Sequence, residues 1–193
     1  MDSNQVEEIL SRCQRLLDVG DRPDLGAEGF WKAVGWVKRH PDEVDRFAEP
    51  IAAIDRTSFT RAVGAHVSIG LGEALLWTGT VASLVLIGAG YFLASPWDWL
   101  VFGAGAGLLL LATHPLAHLV VGQVVGIGFT HVYSGFGGLP QPGAKIDYAS
   151  YLRTPARQRA WMHASGAIVT KVIPFLLVPA AWAADLPAWM PWL

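Results

Sequence analysis

Two histidines stand four residues apart in the apolar segment "LLLLATHPLAHLVVG", which runs from Leu108 to Gly122. Residues i and i+4 lie on one face of a helix, so His114 and His118 present two imidazoles in the same direction. A zinc ion needs ligands that converge on it, and imidazole is one of those it prefers. The spacing makes the pair candidate metal ligands; the alternatives are a remnant of a metal site, or two polar residues packed against neighbouring helices.

The residue that follows the first histidine decides what such a site could catalyse. Metalloproteases carry H-E-x-x-H, in which the glutamate takes a proton from the metal-bound water. Here that position is Pro115, which has no basic group, lacks an N–H, and clashes with the carbonyl of Leu111 in a helix. The pattern therefore keeps a pair of ligands, predicts a kink, and lacks the general base.

The apolar segments of this chain are predicted below to be transmembrane helices, and other ionisable residues are predicted at a similar depth in them. Taking 1.5 Å per helical residue, Glu73 lies about 12 Å, His118 about 13 Å, Lys171 about 16 Å and His114 about 19 Å from one membrane surface. Charged groups inside a bilayer face the bundle interior and pair there, so these residues and Thr170 form a predicted polar cluster.

Two arrangements of this cluster are open. In one, Glu73 is the third ligand of a zinc site with two histidines, one carboxylate and a water. In the other, Glu73 pairs with Lys171 and the histidines hydrogen-bond to neighbouring helices. A cation at Lys171 would repel a nearby metal, which favours the second arrangement.

The remaining histidines and the single cysteine are interpreted as structural. Cys13 falls on the apolar side of a predicted helix, which indicates a small core residue. His131 and His163 are expected at the membrane surface, and His40 and His66 at the boundaries of elements. The glycines at positions 70, 72, 103, 105 and 107 are expected to permit close contact between helices.

The composition of the chain is that of an integral membrane protein. Of its 193 residues 52% are hydrophobic and 16% are charged, against about 25% charged in soluble domains. Between Ala62 and Ala144 there is no Lys or Arg, and the carboxylates there are Glu73 and Asp98. Such a segment can cross a bilayer more than once, and it offers no basic patch for nucleic acid. The lipid bilayer is the predicted partner.

The elements that position these residues are predicted as an all-α fold with two parts. Residues 1–60 form a cytoplasmic helical cap, with a second helix at about 25–39 and a third from "HPDEV" to near Asp55, kinked at Pro50. Residues 61–193 form the membrane domain, with three transmembrane helices at about 65–94, 97–127 and 160–182. The loop 128–159 alternates residue types with period two between Gly and Pro, which predicts a short hairpin or extended segment.

The distribution of Lys and Arg predicts the orientation. Apart from Lys171, all of them lie in the N-terminal part or in the 128–159 loop. The positive-inside rule places both segments in the cytoplasm and the C-terminus outside. The N-terminus is polar and acidic, so no cleaved signal peptide is predicted and insertion would depend on the internal spans.

Three segments resemble the site-2 protease family of intramembrane zinc metallopeptidases: "HPLAHLVVGQVVGIGF", "SGFGG" and "TPARQRAWMHASGAIVTKVIP". In that family an H-E-x-x-H helix leads into a glycine-rich, partly extended cytoplasmic loop, then a basic segment and a helix that opens A-G-P-x-x-N. The resemblance covers roughly residues 108–175. It implies that His114 and His118 are zinc-ligand positions, that residues 165–167 match the small-residue opening, and that Thr170 stands where the family has Asn.

Two departures from the family pattern concern catalysis. Pro115 replaces the glutamate, and the third ligand, an Asp in a later N-x-x-P-x-x-x-D-G-type helix, has no counterpart, since Asp185 is predicted at the outer end. The sequence therefore predicts a proteolytically inactive membrane scaffold or partner-binding protein that recognises other transmembrane helices. The alternative is an intramembrane zinc metallopeptidase with an atypical HxxxH site, in which Glu73 or a water network acts as the base.

Two further classes are disfavoured by the sequence. A di-iron oxidase or desaturase needs several histidine boxes, which the six histidines of this chain do not form. A transporter with three spans would have to oligomerise to enclose a path.

Overall fold

The computed structural model describes residues 1–20, 23–135 and 142–187. Within them, three long apolar helices carry a helical cap and a small sheet at one end of the bundle. The loop tip at 136–141, which includes the glycine-rich "FGG" and the sequence "LPQ", lies outside the described residues, as does the tail at 188–193.

The cap is built from three helices and a short 3-10 turn. Helix α1 spans Ser3–Asp18, α2 spans Phe30–Val37, the 3-10 turn spans Pro41–Glu43, and α3 spans Val44–Ala62. A capping box starts α1, because the Asp2 carboxylate accepts from the backbone N–H of Gln5 while the Gln5 side chain accepts from that of Asp2. Val6, Leu10, Cys13 and Leu17 are buried on one face of α1, so Cys13 is a core residue as predicted.

The predicted end of the third helix near Asp55 was wrong. Helix α3 continues through Pro50 to Ala62, because its buried side chains recur along one face on both sides of the proline. Ile51, Ile54 and Phe59 all lie in the interior. Tertiary packing of this face offsets the one hydrogen bond that the proline removes.

The three predicted spans are helices long and apolar enough to cross a membrane. They are α4 at Ile69–Gly90, α5 at Trp97–Val124 and a last helix at Ala156–Ala183. The helix α5 runs through Pro115 without interruption. A Cβ at Gly105 would lie 2.9 Å from the backbone of Ser83 and of Ile87, so the glycine permits α4 and α5 to pack closely, as predicted.

The expectation of an all-α fold was too narrow, because three antiparallel strands form a small sheet. They are β1 at His66–Ser68, β2 at Phe129–Ser134 and β3 at Pro142–Ile146, in the order β1-β2-β3. The β2–β3 pair confirms the predicted hairpin in the long loop. The strand β1 was missed, so the first membrane helix begins at Ile69 rather than near Ala65.

The end of the long loop packs into the cap. Helix α6, at Tyr148–Arg153, starts at Asp147, whose side chain accepts from the backbone N–H of Ser150. Ala149 and Leu152 share one apolar core with α1, α2 and α3. The last membrane helix, now α7, then starts after Pro155. The Thr154 hydroxyl donates to the Ser150 carbonyl of α6.

Candidate functional site

The two histidines of the opening motif face α7 from the C-terminal half of α5. The ring centroids of His114 and His118 lie 4.9 Å apart with the ring planes at 86°. Both side chains are half-buried. The contact follows from their spacing of one helical turn, as the sequence predicts.

Hydrogen bonds from α7 fix the tautomer of both rings. Nδ1 of His118 lies 2.7 Å from the carbonyl oxygen of Met162, which can only accept, so this nitrogen carries the proton. Nδ1 of His114 lies 2.8 Å from the hydroxyl of Thr170, which donates its own hydrogen to the Gly166 carbonyl at 2.8 Å. Nδ1 of His114 is therefore also a donor, and Nε2 of each ring keeps its lone pair.

The same hydrogen-bonding arrangement is common around metal-bound histidine. Metal-bound histidine usually donates its second N–H to a carbonyl or another acceptor, which fixes both the tautomer and the direction of the ring. Two imidazoles that share a tetrahedral zinc have ring centroids about 5 Å apart. The tautomers and the centroid spacing are therefore compatible with metal ligands, but Nε2 of His118 lies against the backbone of Gly166 on α7.

Gly166 lets α7 approach the ring of His118. A side chain as small as a methyl group at this position would overlap the Nε2, Cε1 and Cδ2 atoms of the imidazole. The neighbouring Ser165 is buried and donates to the Met162 carbonyl at 2.7 Å, the same oxygen that receives His118. The small residues of this segment are thus explained by close helix packing around one histidine.

The structure does not bring Glu73 to the histidines. Its carboxylate accepts a hydrogen bond of 3.0 Å from the side-chain amide of Gln123, near the end of α5. Lys171, the other predicted partner, is exposed on α7. Within residues 1–20, 23–135 and 142–187 no group of three or more His, Cys, Asp or Glu side chains is placed to hold a metal ion.

The observed helix boundaries change the distance of each residue from the end of its helix. Since α4 begins at Ile69, Glu73 lies only about 6 Å from the start of its helix, while His118 and His114 lie about 9 Å and 15 Å from the end of α5. Lys171 lies about 22 Å from the start of α7. Glu73 therefore lies nearer the cap end of the bundle than the histidines. Lys171 follows Thr170, whose hydroxyl is hydrogen-bonded to His114, so Lys171 and His114 lie at a similar level.

A second pair of histidines, which sequence reasoning treated as separate boundary residues, meets beneath the cap. The rings of His66 and His131 have centroids 4.8 Å apart, and both lie against the ring of Phe59 on α3. They meet because β1 and β2 pair with Ser68 opposite His131. The period-two alternation around His131 was the available signal for its strand, but nothing local indicated the partner.

The environment of His131 disfavours its charged form. Nδ1 of His131 is buried and has no hydrogen-bond partner in the described part of the chain. Burial lowers the pKa of His131, and the charges of His66 and Arg56 lower it further. Nδ1 of His66 lies 3.0 Å from the carbonyl of Val63, to which it donates.

The two remaining histidines have neighbours that account for them. His163 is exposed near the start of α7, and its Nε2 lies 2.9 Å from the hydroxyl of Tyr151. His40 stacks on the ring of Trp36 with centroids 3.9 Å apart, and its Nδ1 lies 2.8 Å from the Trp36 carbonyl.

Comparison of the chain with protein-family models, with curated proteins and with solved structures finds no match. A function for this protein must therefore be argued from the site itself and from the sequence pattern that carries the resemblance described above.

Proposed function

We propose that this protein is a proteolytically inactive relative of the site-2 proteases that acts as a membrane scaffold. The observation that carries the proposal is Pro115, a buried residue of α5 at the position of the catalytic glutamate. Loss of a general base commonly lowers a rate by about 10²–10⁴. Glu73, the carboxylate considered as a substitute, accepts from Gln123 instead.

The surfaces of the outer membrane helices support a role in binding other transmembrane helices. In the most apolar part of α5, 33% of the residues are buried, against 17% in α4 and 11% in α7. The helix α5 is therefore the centre of the bundle, and α4 and α7 present most of their side chains outward. Faces of this kind accommodate lipid tails or the helices of a partner.

We infer further that the cap and the sheet lie in the cytoplasm and the C-terminus outside. The support is the position of Lys145, Arg153, Arg157 and Arg159 at the cap end of the bundle, together with the cations of the cap. Single-cysteine variants test the orientation: a membrane-impermeant maleimide should label Ser95→Cys in intact cells and label Thr60→Cys only after lysis. The reverse pattern would contradict it.

The second candidate is an intramembrane zinc metallopeptidase with an atypical site. It is favoured by the tautomers of His114 and His118, which leave both Nε2 atoms as acceptors. The backbone of Gly166 lies against Nε2 of His118, so this ring could reach a metal only after the ring or α7 shifts. Zinc held by this pair and by water would supply a Lewis acid. A base and a further protein ligand would still be needed. Pro115 has no basic group, and Glu73 accepts a hydrogen bond from Gln123.

Zinc content and cleavage, measured on the same detergent-purified protein, separate the two candidates. We expect no cleavage of single-span substrates reconstituted with the wild type. Near-stoichiometric zinc that is lost in His114→Ala/His118→Ala, retained in the control His163→Ala, and accompanied by cleavage would overturn the scaffold proposal. Zinc without cleavage would support an inactive relative that keeps the metal for structure.

A further inference from the structure

A cleft of about 500 Å³ lies between the cap and the start of α7. Its walls come from the end of α2, the start of α3, the end of α6 and the first turn of α7. Four charged residues line it: Lys38, Asp45, Arg153 and Arg159. Three of them are cations and one is an anion, so the cleft carries a net positive charge.

Two of these cations share one aromatic ring. Nζ of Lys38 lies 4.8 Å and the guanidinium carbon of Arg159 lies 5.3 Å from the ring centroid of Tyr151. Both cations are half-buried. Neither forms an ion pair or a hydrogen bond with another side chain in the described part of the chain. By contrast, Arg153 is neutralised by Glu49 and Asp45.

Two like charges at one half-buried place repel each other, and an anion between them would offset the repulsion. Burial lowers the pKa of the Lys38 ammonium, and the charge of Arg159 lowers it further. A phosphate would offset the repulsion, since it presents several acceptor oxygens to lysine and arginine donors.

The position of the cleft indicates that the phosphate belongs to a lipid headgroup. Arg159 belongs to the first turns of α7, and the exposed Trp161 follows it at the level where aromatic side chains mark a membrane surface. Ala156, the first residue of α7, also lines the cleft, so the positive end of the helix dipole adds to the potential there. Phospholipid headgroups occupy this level of a bilayer.

We propose that Lys38 and Arg159 bind the phosphate of an anionic phospholipid, with the headgroup in the cleft and the acyl chains along the exposed side of α7. The site joins the cap to the bilayer through a lipid. The inference rests on α7 crossing a membrane and is independent of whether the histidine pair binds zinc or cleaves a substrate.

The test compares phosphatidylglycerol with phosphatidylcholine on the full-length protein in detergent. Binding is titrated by native mass spectrometry for the wild type, Lys38→Gln, Arg159→Gln and the charge-preserving Lys38→Arg. The matched control is Arg157→Gln, because Arg157 is an exposed cation on the same helix that does not line the cleft. The melting temperature without added lipid shows whether each variant is folded.

We expect phosphatidylglycerol to bind more tightly than phosphatidylcholine, and each Gln variant to weaken it on the order of tenfold, as for the loss of one charge-assisted hydrogen bond. Lys38→Arg and Arg157→Gln should bind as the wild type does. Equal binding of the two lipids, or a folded Lys38→Gln/Arg159→Gln variant that keeps its affinity, would overturn the proposal. Inorganic phosphate that competes at the lipid's own concentration would overturn the assignment to a lipid.

Discussion

Lys145 of β3 places its ammonium between both carboxylate oxygens of Asp55 on α3, at 2.7 Å and 2.5 Å. The two side chains are only 15% and 6% exposed, and the ring centroid of Phe59 lies 5.0 Å from the same ammonium. A buried ion pair thus joins the cap to the sheet that lies above the membrane helices. Burial raises the pKa of Asp55, although Lys145 opposes that effect.

Removing the Asp55 carboxylate should weaken the packing of the cap on the sheet. The variant Asp55→Ala leaves the Lys145 ammonium buried without its partner, which typically costs about 3–5 kcal/mol of unfolding free energy. Hydrogen exchange of α3 and β3 in detergent should show the loss. The control Arg56→Ala breaks the exposed pair with Asp147 and should cost less than about 1 kcal/mol. Equal losses in both variants would contradict the special role of the buried pair.

The His66–His131 contact predicts a loss of stability in mild acid. The pKa of His131 is lowered below its ordinary value of 6.5, so the unfolded chain takes up a proton at a higher pH than the folded chain does. Stability due to His131 is therefore present above 6.5 and is lost as the pH falls through the lowered pKa. The melting temperature should fall less across this pH range in His131→Phe than in the wild type.

The variant His66→Gln separates the charge of His66 from the other causes of that shift. Because burial is the larger cause and the charge of His66 the next, His66→Gln should reduce the pH dependence without abolishing it. A pH dependence that is unchanged in His131→Phe would show that another group is responsible.

Tyr148 predicts a second loss of stability at alkaline pH. Burial, and to a lesser extent the charges of Asp55 and Tyr151, raises the pKa of Tyr148 from 10.0 to about 12. The folded state keeps the phenol proton that the unfolded state releases, so its contribution is present below pH 10.0 and is lost as the pH rises towards about 12. Tyrosinate absorbance, as a difference between the wild type and Tyr148→Phe, measures this titration. The midpoint of this titration should move to lower pH in Asp55→Asn, because the charge of Asp55 contributes to the raised pKa of Tyr148.

The three long apolar helices were predictable because apolar composition is a strong signal over twenty or more residues. The strand β1 was not, since three residues cannot establish a period and His66, Val67 and Ser68 are continuous with an apolar helix. That one omission moved the predicted start of the first span, and with it the depth assigned to Glu73. A local error of boundary thus changed the predicted depth of one candidate site residue.

The two histidine pairs show the same contrast between local and distant information. The meeting of His114 with His118 follows from spacing within one helix. The contact of His131 with His66 depends on the pairing of strands that are 63 residues apart in sequence, at a register which neither strand specifies alone. The bond from His114 to Thr170 likewise depends on the rotation of α7 about its axis, although the shared membrane depth of the two residues could be inferred.

The close approach of α7 to His118 predicts that Gly166 tolerates no side chain. In Gly166→Ala the new methyl group would overlap the imidazole, so the ring or the helix must shift, and overpacking of this kind commonly costs about 1–3 kcal/mol. The control Gly107→Ala lies on α5 with no atom within 4 Å of the added group. It should be neutral or stabilise by up to about 1 kcal/mol, because alanine favours the helix. Melting temperatures in one detergent compare the two, and a Gly166→Ala protein as stable as the wild type would show that the helices can separate at no cost.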